Sequence, residues 1–210
     1  TFELKEDGSI DTEKTTTTVS EEGVLLVEDT ITSVKISKVD IADGEELEGA
    51  TIQLIDKETG EVVEEWTSTN EAHEVTGLIT GKTYILRETV APEGYSITSD
   101  TTFELKEDGS IDTEKTTTTV SEEGVLLVED TITSVKISKV DIADGEELEG
   151  ATIQLIDKET GEVVEEWTST NEAHEVTGLI TGKTYILRET VAPEGYSITS
   201  DTTFELKEDG

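Results

Sequence analysis

The sequence contains no cysteine, which excludes disulfide bonds and thiolate metal sites. It has no methionine and no long apolar run or signal-like segment, so we expect a piece of a longer precursor without membrane insertion. Positive charge is scarce, because 15 Lys and Arg stand against 51 Asp and Glu, for a formal net charge of −36. Such a field repels phosphate backbones and anionic lipids, which argues against nucleic-acid binding.

What the chain does contain is an internal repeat without a single change. Residues 1–101 recur as residues 102–202, and residues 203–210 begin the same text again. A period of 101 exceeds the roughly 20–50 residues of a solenoid unit and suits a self-sufficient domain. We therefore expect tandem domains whose partners are neighbouring repeats of the same chain, and charge repulsion between them favours an extended rod.

Apolar and polar residues alternate with a period of two, which predicts β-strands, and no segment keeps a helical period. Turn-forming pairs such as Asp43-Gly44 and Thr80-Gly81 separate these stretches. About seven short strands per repeat indicate an all-β protein of immunoglobulin-like sandwich modules. The clearest predicted strands are residues 33–40, 50–56, 82–89, 101–105 and 125–130.

Three ionisable residues fall on the inward side of the predicted strands. Each shares its parity with two apolar residues: Lys38 with Val34 and Ile36, Glu88 with Tyr84 and Leu86, and Asp130 with Leu126 and Val128. Isolated buried charges are very costly, so such groups must become neutral, form pairs or react.

Parity alone leaves two interpretations of these residues open. In the first, Lys38, Glu88 and Asp130 form a buried ion-paired triad, or lie at strand ends where their head groups reach water. In the second, burial disfavours every charged form, so a neutral amine lies beside a protonated carboxyl. Lys38 would then attack the Asp130 carboxyl carbon while Glu88 relays protons, and loss of water would leave an amide between the first and last strands.

Three segments resemble the motifs of Cna protein B-type domains, prealbumin-like β-sandwiches that build stalks and pili of Gram-positive surface proteins. KVDIADGEELEGATIQL is similar to their first-strand lysine motif, RETVAPEGY to their E-box and VLLVEDTIT to their terminal strand. The resemblance covers the whole period and implies a spontaneous isopeptide bond between Lys38 and Asp130, promoted by Glu88. Many family members have Asn where this chain has Asp130, and with Asp the leaving group is water rather than ammonia.

The positions of these residues divide the chain into three parts. Residues 32–132 form one complete module, because only they hold a full Lys, Glu and Asp set. The incomplete modules retain fewer members: Asp29 in the terminal strands of residues 1–31, and Lys139 with Glu189 in residues 133–210, which lack the terminal strand. Either the chain is a window on a longer array, or Asp29 of one molecule completes the Lys139 site of another by strand addition, giving a head-to-tail fibre.

Two classes of function remain. In the first, the repeats are crosslinked spacers of a cell-surface adhesin, extracellular and cell-wall-anchored, with the anchor and signal peptide outside this segment. In the second, the repeats themselves bind a ligand with multivalent gain. Short charged loops and an aromatic content of 4% favour the spacer. Enzymatic turnover is disfavoured, since the reactive groups would be consumed in the bond, and we expect no cofactor.

Metal binding is not expected either. The acidic loop at residues 40–46 lacks the alternating carboxylate spacing that a calcium loop requires before its glycine. His73 has no cysteine or second histidine near it, and Trp66 is interpreted as a packing residue rather than a ligand platform.

Overall fold

The computed structural model describes residues 1–207, and within them it contains only β-strands and connecting segments. The all-β prediction is confirmed. None of the described residues forms a helix that is long and apolar enough to cross a membrane. The strands are β1 (Ser33–Asp40), β2 (Thr51–Asp56), β3 (Val62–Thr67), β4 (His73–Thr76), β5 (Thr83–Val90), β6 (Thr101–Glu104), β7 (Thr119–Val120), β8 (Leu126–Asp130), β9 (Ser134–Ile137), β10 (Thr152–Asp157), β11 (Val163–Thr168), β12 (His174–Thr177), β13 (Thr184–Val191) and β14 (Thr202–Glu205).

Strands β1–β8, called here the first sandwich, form two four-stranded sheets. One sheet has the order β4-β1-β8-β7 and the other has the order β3-β2-β5-β6. β1 pairs antiparallel with β4 on one side and parallel with β8 on the other. A parallel pair needs a long crossover, and here the rest of the sandwich supplies it. The first and last long strands of the repeat therefore lie side by side.

The inward faces of the two sheets share one hydrophobic core. Residues two apart on a strand face the same side, so the alternating apolar residues of both sheets meet between them. Partly buried Trp66 packs against this core, as its interpretation as a packing residue predicts. The core includes Val34, Ile36, Leu126 and Val128 from one sheet and Ile52, Leu54, Leu86 and Phe103 from the other.

Within residues 1–207, strands β9–β14, the second copy, repeat this arrangement without counterparts of β7 and β8. The sheet β11-β10-β13-β14 corresponds to β3-β2-β5-β6, while within residues 1–207 β9 pairs only with β12. β9 ends at Ile137, although the same sequence continues as strand to Asp40 in β1. Val39 is 4% exposed but its copy Val140 is 43% exposed. A neighbouring strand, rather than local sequence, therefore decides how far this strand extends.

Residues 1–32 form a separate compact unit. Its pairing consists of two isolated bridges, Leu4 with Ile10 and Val19 with Leu25. Residues 24–29 have the sequence of residues 125–130, yet none of them is in a strand and Val27 is 94% exposed. This segment has the sequence of β8 without its sheet.

Candidate functional site

Lys38, Glu88 and Asp130, called here the Lys38 cluster, meet inside the first sandwich. β1 and β8 supply the lysine and the aspartate from one sheet, and β5 supplies the glutamate from the other. The residues are 2%, 5% and 1% exposed, respectively. Lys38 Nζ lies 3.2 Å from Glu88 Oε1 and in direct contact with Asp130 Oδ1. An amine and a carboxyl group therefore touch in an interior closed to solvent.

The parallel register of β1 and β8 explains why the lysine and the aspartate meet. Lys38 lies opposite Val128, and Asp40 lies opposite Asp130. Residues two apart face the same side of a sheet, so Lys38 and Asp130 are diagonal neighbours on the core face. Diagonal neighbours are within reach of a long side chain such as lysine.

The polar atoms of the Lys38 cluster have little hydrogen bonding. Within residues 1–207, buried atoms without a hydrogen-bond partner include Lys38 Nζ, Glu88 Oε1 and both carboxylate oxygens of Asp130. Lys38 Nζ contacts both acids as ion-pair partners. Glu88 Oε2 accepts a bond from the Thr98 backbone N–H at 2.9 Å. Because buried polar groups without hydrogen-bond partners are costly, burial disfavours the charged forms of these residues.

Burial shifts both acids of the cluster towards their protonated forms. It raises the pKa of Glu88 to about 7, against the opposing effects of Lys38 and of the Thr98 N–H. Burial likewise raises the pKa of Asp130, where Lys38 again opposes the shift and the charge of Asp40 adds to it. A protonated Asp130 beside an amine provides the two groups from which an amide can form.

Tyr95 and Asp40 form a second polar contact next to the cluster, which the sequence analysis missed. Tyr95 Oη donates to Asp40 Oδ2 at 2.8 Å, and the Ala42 N–H donates to Asp40 Oδ1 at 2.7 Å. Burial, together with the bond to Asp40, raises the pKa of Tyr95 to about 12. Asp40 is thereby held opposite Asp130 across the β1–β8 pair. Tyr95 ends the ETVAPEGY segment, but only the folded register reveals its partner.

The second copy keeps the lysine and the glutamate of the cluster in the same geometry. Lys139 Nζ lies 3.2 Å from Glu189 Oε1, and the Thr199 N–H donates to Glu189 Oε2 at 2.7 Å. The Lys139 side chain is 17% exposed, whereas that of Lys38 is 0% exposed. A cavity of about 100 Å³ lined by Lys139 and Glu189 opens beside them. The lysine–glutamate pair therefore forms without an aspartate, and Asp29, the copy of Asp130, is exposed within the unit of residues 1–32.

His73 packs against Trp66 and pairs with an acid. Its ring stacks on Trp66 with the ring centroids 4.4 Å apart, and its Nε2 lies 2.7 Å from Glu64 Oε1. In the part of the chain that the structure describes, no group of three or more His, Cys, Asp and Glu residues could hold a metal ion.

Solved structures similar to this chain include pilins and a protein of Bacillus anthracis. The Bacillus anthracis TIE protein is 29% identical over 87% of this chain and 33% of its own length, with a TM-score of 0.50. A streptococcal ancillary pilin is 24% identical over 87% of this chain and 60% of its own, with a TM-score of 0.40. The shaft pilin SpaA from Lactobacillus rhamnosus GG is 14% identical over 85% of this chain and 94% of its own, with a TM-score of 0.38. The chain thus spans about a third of the TIE protein.

The chain can be assigned to a protein family because two of its segments match the profile of one domain family. Among curated proteins, none has a sequence that matches the chain significantly. The profile of the SpaA prealbumin-like fold domain, in contrast, matches residues 32–119 and again residues 133–210. These two matches include most of the chain; the first covers β1–β6 of the first sandwich, and the second covers the strands β9–β14 of the second copy. The chain therefore belongs to the family of SpaA prealbumin-like fold domains and carries them in tandem.

Proposed function

We propose that residues 32–132 are a self-crosslinking structural module, in which an amide bond joins Lys38 to Asp130. The observation that carries this proposal is the buried contact of Lys38 Nζ with the Asp130 carboxyl group, closed to solvent and lacking hydrogen bonds. The raised pKa of Asp130 supports the same chemistry, since a protonated carboxyl can lose water. Glu88 is the nearby acid that moves the protons.

The reaction is a condensation that needs no added reagent. The neutral Nζ of Lys38 attacks Cγ of protonated Asp130, and the new N–C bond gives a tetrahedral intermediate. Glu88 takes a proton from the nitrogen and delivers one to the departing hydroxyl group. The C–O bond breaks and one water molecule leaves, while Glu88 returns to its initial state. Each module reacts once, so this is not enzymatic turnover.

The role that fits such a module is that of a spacer in the stalk of a Gram-positive surface protein, outside the cell and attached to the wall. Membership in a pilin-type domain family supports this role. Identical tandem repeats add length, and a net charge of −36 disfavours association of separate chains side by side. We propose the same crosslink for every repeat that has its own lysine, glutamate and aspartate.

Intact-mass measurement under denaturing conditions tests the crosslink. The chain should weigh one water less than its sequence requires, and Lys38→Ala or Asp130→Ala should abolish the deficit. Glu88→Ala should also leave the mass undiminished while the fold is largely retained, because the reactants remain but the proton relay is lost. Asp130→Asn should replace the deficit of one water by a deficit of one ammonia.

Lys139→Ala is the matched control for this experiment. Lys139 has the sequence context of Lys38 and the same contact with a glutamate, but among residues 1–207 it forms no ion pair with an aspartate. This variant should keep the full water deficit of the first sandwich. A native chain without any deficit, or tryptic peptides of residues 38 and 130 that separate freely, would overturn the proposal.

We also propose a second function, head-to-tail assembly in which one molecule completes the site of another. Two observations favour it: β9 has an unpaired edge beside Lys139 within residues 1–207, and residues 24–29 have the sequence of β8 but belong to no strand. Added parallel to β9, this segment would occupy the position that β8 occupies beside β1. Asp29 would then meet Lys139 and Glu189 and condense with loss of water.

A denaturing gel of the concentrated chain tests this assembly. A ladder of covalent multimers is expected, and either Asp29→Ala or Lys139→Ala should remove it. Neither change should affect the water deficit of the first sandwich, so the two functions can be separated. Monomer alone, at concentrations where the crosslink within the first sandwich is complete, would contradict assembly.

A further inference from the structure

The segment between β8 and β9 is held by hydrogen bonds from the repeats on both of its sides. The Thr133 N–H donates to Gly94 O of the first sandwich at 2.8 Å, and its Oγ1 donates to Leu179 O of the second copy at 2.7 Å. The Gly178 N–H donates to Thr133 O at 3.0 Å. Thr133 is only 2% exposed. Thr133 is the first residue of the second copy, so its two bonds to Gly178 and Leu179 lie within that copy. Its N–H bond to Gly94 O is the one of the three that crosses to the first sandwich.

The residues before Thr133 are also paired with the first sandwich. Ile132 forms an isolated bridge with Tyr95, and the Ser96 N–H donates to Thr131 O at 3.2 Å. The loop of residues 94–96 is therefore hydrogen-bonded to the linker along residues 131–133. A linker with such pairing has little of the conformational freedom of an unattached segment of the same length.

Gly94 makes the closest approach in this joint. A Cβ atom at Gly94 would lie 3.0 Å from Gly178 O and 3.1 Å from Gly178 Cα, which is too close for an ordinary contact. Gly195 is the copy of Gly94 and has nearly the same backbone, with φ values of +87° and +84°. A Cβ atom at Gly195 would meet nothing within 4 Å. Both glycines serve a left-handed turn, but only Gly94 lies against the next repeat.

We propose that the loop of residues 94–96 is a docking surface for the following copy of the same repeat. This loop contacts the turn at Gly178 and Leu179 of the following repeat, and Thr133 is enclosed between the loop and the turn. The joint fixes the orientation of one repeat relative to the next, and it does so by noncovalent contacts, with no crosslink between side chains. Because the repeats are identical, the same joint can recur at every junction of an array and turn each repeat by the same angle.

This joint is separate from the Lys38–Asp130 crosslink. The crosslink lies within one repeat, whereas the joint uses Gly94, Thr133 and Gly178 and involves none of the Lys38 cluster. It should therefore persist in the Lys38→Ala variant, and failure of one proposal leaves the other intact.

Distances between two spin labels in the full chain test the joint. The chain has no cysteine, so Asn70→Cys and Asn171→Cys place one label on the surface of each repeat without side reactions. Pulsed electron paramagnetic resonance should give one narrow distance distribution. Gly94→Ala should replace it by a distribution roughly twice as wide, because the added methyl group forces the loop and the Gly178 turn apart.

Gly195→Ala is the matched control. An alanine there has the same unfavourable left-handed backbone conformation, but its methyl group meets no neighbouring repeat. It should leave the distribution unchanged. Thr133→Val keeps the volume but removes the bond to Leu179 O, and it should widen the distribution as well. Near-ultraviolet circular dichroism establishes that each variant is folded. A broad distribution in the unsubstituted chain, or a folded Gly94→Ala variant with the narrow distribution, would overturn the proposal.

Discussion

At the scale of single residues, the chain contains its own comparison, because Lys38 and Lys139 share a sequence context but differ in their surroundings. Both lysines lie 3.2 Å from a glutamate, yet only Lys38 also contacts an aspartate. The lysine and the glutamate therefore depend on the strand that carries each of them, and the aspartate strand closes the site. In the proposed reaction, the aspartate strand would thus bring its carboxyl group to a prearranged amine.

Tyr95→Phe should destabilise the first sandwich by removing the hydrogen bond to Asp40. A bond to a charged acceptor is worth about 1.5–3 kcal/mol, and chemical denaturation would measure the loss. The folded state raises the pKa of Tyr95 from 10.0 to about 12, so the bond contributes fully below pH 10. Its contribution is lost as the pH rises through about 12. The free energy of unfolding of the variant should therefore not include the decrease that deprotonation of Tyr95 causes at alkaline pH in the unsubstituted chain.

Tyr196→Phe provides the comparison for that experiment. Tyr196 makes the equivalent bond to Asp141 at 2.7 Å, but it is 46% exposed. Since water competes for an exposed bond, its loss should cost clearly less than the loss at Tyr95. Equal losses in the two variants would show that burial near the Lys38 cluster does not strengthen the Tyr95 bond.

At the scale of elements, alternation in the sequence predicted the strands that build the core. Residues 33–40 form β1 with the predicted bounds, and the predicted strands at 50–56 and 82–89 agree with β2 and β5 to within one residue. β3 was not predicted, because its sequence VVEEWT places two glutamates together and its residues are mostly exposed. β7 is only two residues long, too short for a periodic signal, whereas β4 was not predicted although β6, which has the same length of four residues, was.

Much of the candidate site was also accessible from parity, since Lys38, Glu88 and Asp130 are all buried as the alternation requires. The local sequence pattern could not predict which strands pair with one another. The parallel pairing of β1 with β8 sets Asp40 opposite Asp130, and folding brings Tyr95 to Asp40. Such contacts connect residues far apart in the sequence, so strand alternation carries no information about them.

Asp130→Ala should lower the free energy of unfolding of the first sandwich by about 4–5 kcal/mol. The proposed crosslink would close a loop of about 92 residues, and loop-closure entropy assigns a gain of this size to such a constraint. Urea denaturation followed by tryptophan fluorescence would measure the change. Asp29→Ala alters the same sequence at an exposed position, so it should stay within about 0.5 kcal/mol of the unsubstituted chain. Equal stabilities of the two variants would contradict a crosslink that stabilises the fold.

At the scale of the whole molecule, the neighbouring positions of β1 and β8 decide how a repeat responds to tension. Force that enters the first sandwich at β1 and leaves after β8 acts on two parallel strands paired side by side. An amide between Lys38 and Asp130 would carry that force directly from one strand to the other. The residues between these two positions would then be shielded from the load.

Single-molecule stretching of the full chain should reveal this shielding. In the unsubstituted chain, residues between 38 and 130 cannot extend while the amide holds, so the first sandwich should yield no long unfolding step. Lys38→Ala should add one step of about 300 Å, because about 92 residues at roughly 3.3–3.6 Å each are released. Lys139→Ala leaves the crosslink in place and should add no such step. If the unsubstituted chain already showed the long step, the force would not pass through an amide, and the proposed stalk function would lose its mechanical basis.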